Sequence, residues 1–166
     1  MDVYLKPIKN PGPIMKQENN SLLQDLKPLL EAARSAGEPQ KILDFIPYSS
    51  FIGAQAVIED NHVLYYLDKR SSNIGNPSLP AIHGGVIGGF MELSAAIELL
   101  YTLNIEKIPK VADFSLDYLR PGRYKTTYAT CSVLRHGKKL VNVSVTAWQD
   151  SPDKPIATAR CHFLVS

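Results

Sequence analysis

The run "HGGVIGGFMELSAAIELL", from His83 to Leu100, limits the fold more than any other part of the chain. Past the glycines it is made of helix formers, apolar around the whole circumference, and its only charges are Glu92 and Glu98. A helix that is apolar on every side has to be covered by protein on most of them. A membrane span is disfavoured, because the run is short, glycine-rich and carries two carboxylates.

The flanking segments supply the cover. In "SLLQDLKPLLEAARSA", residues 21–36, Leu22, Leu23, Leu26, Leu29, Leu30 and Ala33 recur at helical spacing, with Ser21 placed as N-cap. Gly37 and then Pro39 predict its end, and Pro28 predicts either a kink or the first turn of a second helix. Residues 1–20 read as an extended or loosely packed arm. "FIGAQAVIE" and "HVLYYLD", separated by Asp60-Asn61, predict a β-hairpin, followed by a polar loop over 69–81.

Beyond the apolar helix the pattern changes to period two. In "VADFSLDYL" the residues Ala112, Phe114, Leu116 and Tyr118 alternate with Asp113, Ser115 and Asp117, which predicts a half-buried strand. Residues 124–134, 140–148 and 156–165 predict three more strands, separated by "RHGKK" and "QDSPDKP". Two strands, one long helix and four strands predict an α+β fold. A curved antiparallel sheet of about six strands wraps around the central helix, with an extra N-terminal helix. The 166 residues are expected to form an arm and helix over 1–40 and the main domain over 41–166.

Bulk properties narrow the function. A composition of 45% hydrophobic and 20% charged residues is that of a globular protein, and a net charge of +2 gives no reason to expect nucleic acid or a membrane as partner. Cys131 and Cys161 form neither a CxxC pair nor a cluster with histidine, so no metal site is predicted and both read as reduced thiols. "MDVYLKPIKNPGP" is broken by Pro7, Pro11 and Pro13 and is no secretory leader, so a cytoplasmic location is expected.

The chemistry concentrates between Asn76 and Glu92. Gly84 and Gly85 stand where the helix begins, where free N–H groups and the helix dipole favour negative charge. Such amides can stabilise an oxyanion, and glycine lets a carbonyl come close. Glu92, among Gly88, Phe90, Met91, Leu93 and Ala95, is a candidate general base or nucleophile, or else a structural carboxylate. Eight residues of helix put it roughly 12 Å from Gly84, too far to serve the same carbonyl. Two such helices packed antiparallel across a two-fold axis would bring each helix start to the other chain's Glu92. Gly88 would allow close approach of substrate or partner helix. Asn76 is either a hydrogen-bond donor to the carbonyl or water, or a turn initiator. His83 reads first as an organiser of the loop and second as a base, and Glu98 as part of a solvated or interface face.

The segments "NPSLPAIHGGVIGGFMEL", "FSLDYLRPG", "VLRHGKKLVNVSVTAW" and "IATARCHFLV", in this order over residues 45–166, resemble the acyl-CoA thioesterases of the hot-dog superfamily, of the phenylacetyl-CoA and hydroxybenzoyl-CoA type. The resemblance implies that Gly84 supplies the oxyanion amide, that Glu92 is the base or nucleophile, and that Asn76 is the nearest match to an upstream Asn or Gln. A Ser or Thr common one turn after the acid is replaced by Ala96, leaving Ser94 and Ser115 as candidate helpers. Arg120, with Arg135, His136, Gly137, Lys138 and Lys139 of the basic turn, is implied to hold coenzyme A phosphates. Coenzyme A enters as part of the substrate, and no separate cofactor is implied. The expected assembly is a homodimer or a dimer of dimers. Two competing functions keep the fold: an acyl-thioester hydratase or dehydratase, which the lack of a second histidine before the helix disfavours, and a non-catalytic acyl-CoA-binding module.

Overall fold

The computed structural model of the chain describes residues 13–103 and 105–165, with side chains from Asp25 onward. Helix α1 spans Pro13–Ala36. Of the expected N-terminal arm, positions 1–12 lie outside the described residues, and positions 13–20 are already helical. Proline is tolerated in a first turn, and nothing between Pro13 and Pro28 breaks a helix, so Ser21 is an interior residue rather than a cap. The helix also continues through Pro28. It stops at Gly37, which takes the left-handed φ of 70°. The amides of Gly37 and Glu38 then return to the carbonyls of Arg34 and Ala33, at 3.2 and 2.9 Å.

Two short helices, α2 (Gln40–Asp44) and α3 (Pro47–Ile52), precede the sheet. Strand β1 therefore begins at Ala54 and not at Phe51. Pro47 opens α3, Gly53 closes it at φ 80°, and the Ser49 hydroxyl donates to the carbonyl of Ile46 at 2.6 Å, so Phe51 and Ile52 are taken into the helix. The hairpin of β1 (Ala54–Glu59) and β2 (His62–Leu67) turns on Asp60 and Asn61, both at positive φ, as a two-residue turn of the type that matches strand twist. A 3₁₀ turn (Ser71–Asn73) and the short pair β3 (Ile74–Asn76) and β4 (Ala81–Ile82) lead into helix α4 (Gly84–Thr102).

Strands β5 (Lys110–Tyr118), β6 (Thr127–His136), β7 (Leu140–Trp148) and β8 (Ala157–Leu164) complete an antiparallel sheet of order β1-β2-β6-β7-β8-β5. Its inner face presents Tyr65, Ala129, Val143, Val145, Ala159 and Phe163, all buried against α4 residues such as Phe90, Met91 and Ile97. On the other side of α4, α1 buries Leu26, Leu30 and Ala33. Each large side chain removed from water in this core contributes roughly 1.5–3 kcal/mol. Arg34 of α1 reaches the end of α4, where its guanidinium donates to the carbonyls of Leu100, Leu103 and Ile105 at 2.5, 2.8 and 3.1 Å. It thereby satisfies carbonyls left without a helical partner and complements the negative end of the helix dipole.

β5 is the exception in the sheet. It pairs with β8 along one edge only, and Val111 and Tyr118 are 41% and 55% exposed. The expected half-burial of this strand is reached only at Phe114 and Leu116, because among the described residues nothing lies along its outer edge.

Candidate active site

The first turn of α4 has a specific pattern of paired and unpaired amides. His83 is the N-cap, and its carbonyl accepts from Val86 and Ile87 at 2.9 and 3.2 Å. Its Nδ1 accepts from the Gly85 amide at 2.9 Å, so that nitrogen carries no proton. Its own amide donates to the Asn73 carbonyl at 2.8 Å. His83 thus organises the loop, as expected of a histidine at this position. The Gly84 N–H alone in this turn meets no acceptor among the described residues.

The carbonyl of Gly84 is held as well, by the Tyr118 hydroxyl, which donates to it at 2.6 Å. The Gly84–Gly85 peptide is therefore clamped at its oxygen by Tyr118 and at its nitrogen by His83. Glycine lets these side chains come close: a Cβ on Gly84 would lie 2.9 Å from the Tyr118 oxygen and push that hydroxyl aside, and one on Gly88 would lie 3.0 Å from the Leu116 methyl. The role of Tyr118 was not visible in the sequence, where it is only the last apolar position of an alternating run. A cavity of about 360 Å³ opens at this point, lined by Ala81, Gly84, Ile87, Tyr118, Arg120 and Gly122. Arg120 holds its wall together by donating to the Pro155 carbonyl at 2.6 Å.

Asn76 is exposed, and its side-chain oxygen accepts from the amides of Ser78 and Leu79 at 3.0 and 3.3 Å. That is the turn-initiating arrangement, and it leaves only the NH₂ group for a ligand. The asparagine that fixes the approach to the helix is Asn73, which is buried and donates to the Ile52 carbonyl at 2.7 Å. The local sequence marks Asn76, before Pro77, as a turn initiator, but nothing in it shows that Asn73 is the one buried.

Glu92 lies two turns along α4, half-buried, with no hydrogen bond or ion pair among the described residues. Its charge reaches Cys161, whose thiol is pushed up to about 12, first by burial and then by the carboxylates of Glu92 and Asp113. A thiol so held stays protonated and is no nucleophile at neutral pH. Glu98 differs from the expectation of a solvated face. It turns toward the sheet and accepts from the fully buried Tyr65 hydroxyl at 2.9 Å, and burial raises its pKa. Of the proposed helper hydroxyls, Ser94 is buried and donates to its own helix at Phe90, 2.8 Å away, while Ser115 alternates onto the outer face of β5.

The basic turn lies elsewhere. Arg135, His136, Lys138 and Lys139 are exposed, and none has an acidic partner among the described residues; Arg135, Lys138 and Lys139 line a groove of about 370 Å³. The turn is closed by Gly137, whose amide donates to the Leu140 carbonyl at 2.9 Å. Leu140 pairs with Leu164 at one end of β8, whereas Tyr118, which holds Gly84, pairs with Ala157 at the other. Seven residues of strand separate the two ends by roughly 23 Å. Within one chain the structure brings together His83, Gly84, Gly85, Tyr118 and Arg120, and keeps Glu92 and the basic turn apart from them. Among the described residues no three His, Cys, Asp or Glu side chains are grouped so as to hold a metal ion.

Comparison with known proteins places the fold and its family. The thioesterase superfamily model matches residues 79–156, which include the whole of α4 and its N-terminal cavity. A crystal structure of a Chromobacterium violaceum protein is 38% identical, covering 82% of this chain and 96% of its own, with a TM-score of 0.65. The chain belongs to the thioesterase superfamily and has its hot-dog fold. The same fold occurs in a phenylacetic acid degradation-related protein of Ralstonia eutropha JMP134 (20% identity, 76% and 98% coverage, TM-score 0.65). It occurs also in a Streptococcus mutans UA159 protein bound to acetyl CoA (19% identity, 68% and 88% coverage, TM-score 0.58). No curated protein shows significant similarity to the chain.

Proposed function

We propose that the protein hydrolyses acyl-CoA thioesters to a carboxylic acid and free coenzyme A. One observation carries this reading: among the described residues the Gly84 N–H at the start of α4 meets no acceptor, and Glu92 on the same helix meets no hydrogen-bond or ion-pair partner. An unpaired donor and an unpaired acid are what the two halves of the reaction need. The Gly84 amide, assisted by the helix dipole, donates to the thioester oxygen and stabilises the negative charge that forms on it. Glu92 takes a proton from water as its oxygen attacks the carbonyl carbon. As the tetrahedral species collapses, the C–S bond breaks and the proton passes from Glu92 to the departing thiolate. Direct attack by the Glu92 carboxylate is the other route to the same products.

The roughly 12 Å of helix between Gly84 and Glu92 assigns them to different sites. In this proposal α4 packs antiparallel to α4 of a second copy, so that Glu92 faces Gly84 of the partner subunit. Two features support such a pairing: the unpaired edge of the nine-residue strand β5, and the exposed apolar side chains Val111, Tyr118 and Leu119 along it. The basic turn holds coenzyme A phosphates by charge-assisted hydrogen bonds, from the end of the chain opposite its own Gly84. The Streptococcus mutans relative with acetyl CoA supports coenzyme A as the carrier. Asn76 contributes its NH₂ group to the thioester or the water.

Release of free thiol from a panel of acyl-CoA compounds tests the reading. Hydrolysis gives a stoichiometric thiol, whereas a hydratase or a binding module gives none.

A further inference from the structure

The sheet has a second face, turned away from α4, and one part of it is not built as a solvated surface. Side chains alternate along a strand, so Tyr66, Tyr128 and Trp148 project opposite to their neighbours Tyr65, Ala129 and Ala147, which are buried in the core. Tyr66 pairs with Tyr128, and Tyr128 with Trp148, which puts the three rings in one row across β2, β6 and β7. Their centroids are 6.4 and 6.1 Å apart, and the Tyr128 and Trp148 planes lie at 26°. Val57 of β1, paired with Leu64, is 41% exposed on the same side. Polar side chains are the ordinary choice for the outer face of an antiparallel sheet.

A cavity of about 750 Å³ runs along this row, and Glu59, Leu64, Tyr66, Asp68, Tyr128 and Trp148 are among the side chains that line it. That volume is in the range of small-molecule sites. Neither Glu59 nor Asp68 has a side-chain hydrogen bond or ion pair among the described residues, and no basic side chain among them lines the cavity. The neighbouring lysines are engaged elsewhere: Lys69 lies over the Tyr124 ring at 4.5 Å, and Lys125 pairs with Asp150 at 2.8 Å. The two acids stand at opposite ends. The Asp68 amide donates to the Gly53 carbonyl at 3.0 Å, and the length of β1 leads from Gly53 to Glu59, roughly 20 Å of strand. The groove is thus negative at both ends and apolar between them.

We propose that this groove binds a linear aliphatic polyamine, at a site separate from the start of α4. The terminal ammonium groups pair with Asp68 and Glu59. The methylene segments cover Leu64 and the rings, and the inner ammonium groups lie against π faces, whose negative quadrupole attracts cations. The same charges exclude anions: coenzyme A and nucleic acids bring phosphates that two unpaired carboxylates repel. A chain with a net charge of +2 has no general attraction for a polycation, so binding has to come from a local site.

Trp148 is the one tryptophan of the chain, so its emission reports on this groove directly. Titration with spermine at low ionic strength should change that emission saturably, with a Kd below about 1 mM, and added salt should weaken the binding. Putrescine, too short to reach both acids, should bind at least tenfold more weakly. Glu59→Gln and Asp68→Asn should each weaken spermine at least fivefold, whereas Asp117→Asn, at an exposed acid of β5 outside the groove, should leave its affinity unchanged. Glu59 is itself exposed, so its exchange for glutamine tests the site in a folded chain. Emission that spermine does not change, or affinity that falls equally in all three variants or in none, overturns the proposal. Maltotetraose binding as tightly as spermine also overturns it and makes the row a saccharide platform. Emission that shifts to the red on dilution, with spermine without effect, overturns it by assigning the face to a second copy of the chain. None of these outcomes bears on thiol release from acyl-CoA, so the hydrolase reading stands or falls separately.

Discussion

Glu92 and Glu98 stand on the same helix, less than two turns apart, in equally apolar sequence. Glu98 points at the sheet, where the buried Tyr65 hydroxyl donates to it and burial raises its pKa. Glu92 is half-buried, and no hydrogen bond or ion pair reaches it among the described residues. The difference is one of helix phase. A carboxylate inside a fold is retained either because a neighbour satisfies it or because a ligand does. On that criterion Glu98 belongs to the framework, and Glu92 is the carboxylate free for the proposed hydrolysis. The two ends of α4 repeat the contrast, with Arg34 covering the carbonyls of the C-terminus and the Gly84 amide left open at the N-terminus.

The largest effect should come from exchanging charge for amide at the two positions. Glu92→Gln is expected to lower kcat at least a hundredfold, about 2.7 kcal/mol of transition-state stabilisation, with the unfolding midpoint close to wild type. Glu98→Gln should keep kcat within a fewfold, and equal losses at both positions would erase the distinction. Next in size, Glu98→Ala leaves the fully buried Tyr65 hydroxyl without its acceptor. Urea unfolding should show a loss of about 1–3 kcal/mol, with little change in kcat for the fraction that stays folded. A smaller effect is expected from Tyr118→Phe, which frees the Gly84 carbonyl. The loss of one hydrogen bond, about 0.5–1.5 kcal/mol, corresponds to a fall in kcat of about two- to tenfold with KM little changed, since Tyr118 positions the amide and does not hold the substrate in the ground state.

The smallest effect is a pH trend. Glu98 has its pKa raised by folding, so the native state holds this proton to higher pH than the unfolded chain does. Stability from this group is therefore present in acid and is lost as pH rises from the ordinary carboxylate range through the raised native value. Urea unfolding of wild type and Glu98→Gln between pH 4 and 7 should show the wild type losing ground to the variant as pH rises. A wild type that gains on the variant over that interval contradicts the placement of Glu98 in a desolvated site.

The outline of this arrangement could be read in the residues before any geometry. The apolar run from Gly84 announces a wrapped central helix, Asp60-Asn61 announces the hairpin, and the glycines ahead of an internal acid announce a helix start suited to an oxyanion. What could not be read depends on contacts between distant segments. Periodicity shows that Glu92 and Glu98 lie on different faces, but not which face meets the sheet. Tyr118 is one apolar residue among several until β5 brings its hydroxyl to Gly84. Asn73 and Asn76 are both loop asparagines until the fold buries one of them. Phe51 and Ile52, the last two residues of α3, favour a strand in isolation; Pro47, Ser49 and Gly53 set the local structure instead.

The central claim is that Gly84 and Glu92 act across two chains, and mixed dimers test it directly. Gly84→Pro removes the amide donor at a first helical position that suits proline's backbone, after a His83 already extended at φ −61° and ψ 131°; its Cβ pushes the Tyr118 hydroxyl aside, so Gly84→Ala, which brings the same Cβ and keeps the N–H, is the control. Gly84→Pro and Glu92→Gln should each be inactive alone. Co-refolded in equal amounts, half of the dimers carry one chain of each kind, and each of these contains one intact site. Thiol release from the acyl-CoA preferred by the wild type should then return to about a quarter of the wild-type rate. A mixture as inactive as its parents would contradict the composite site.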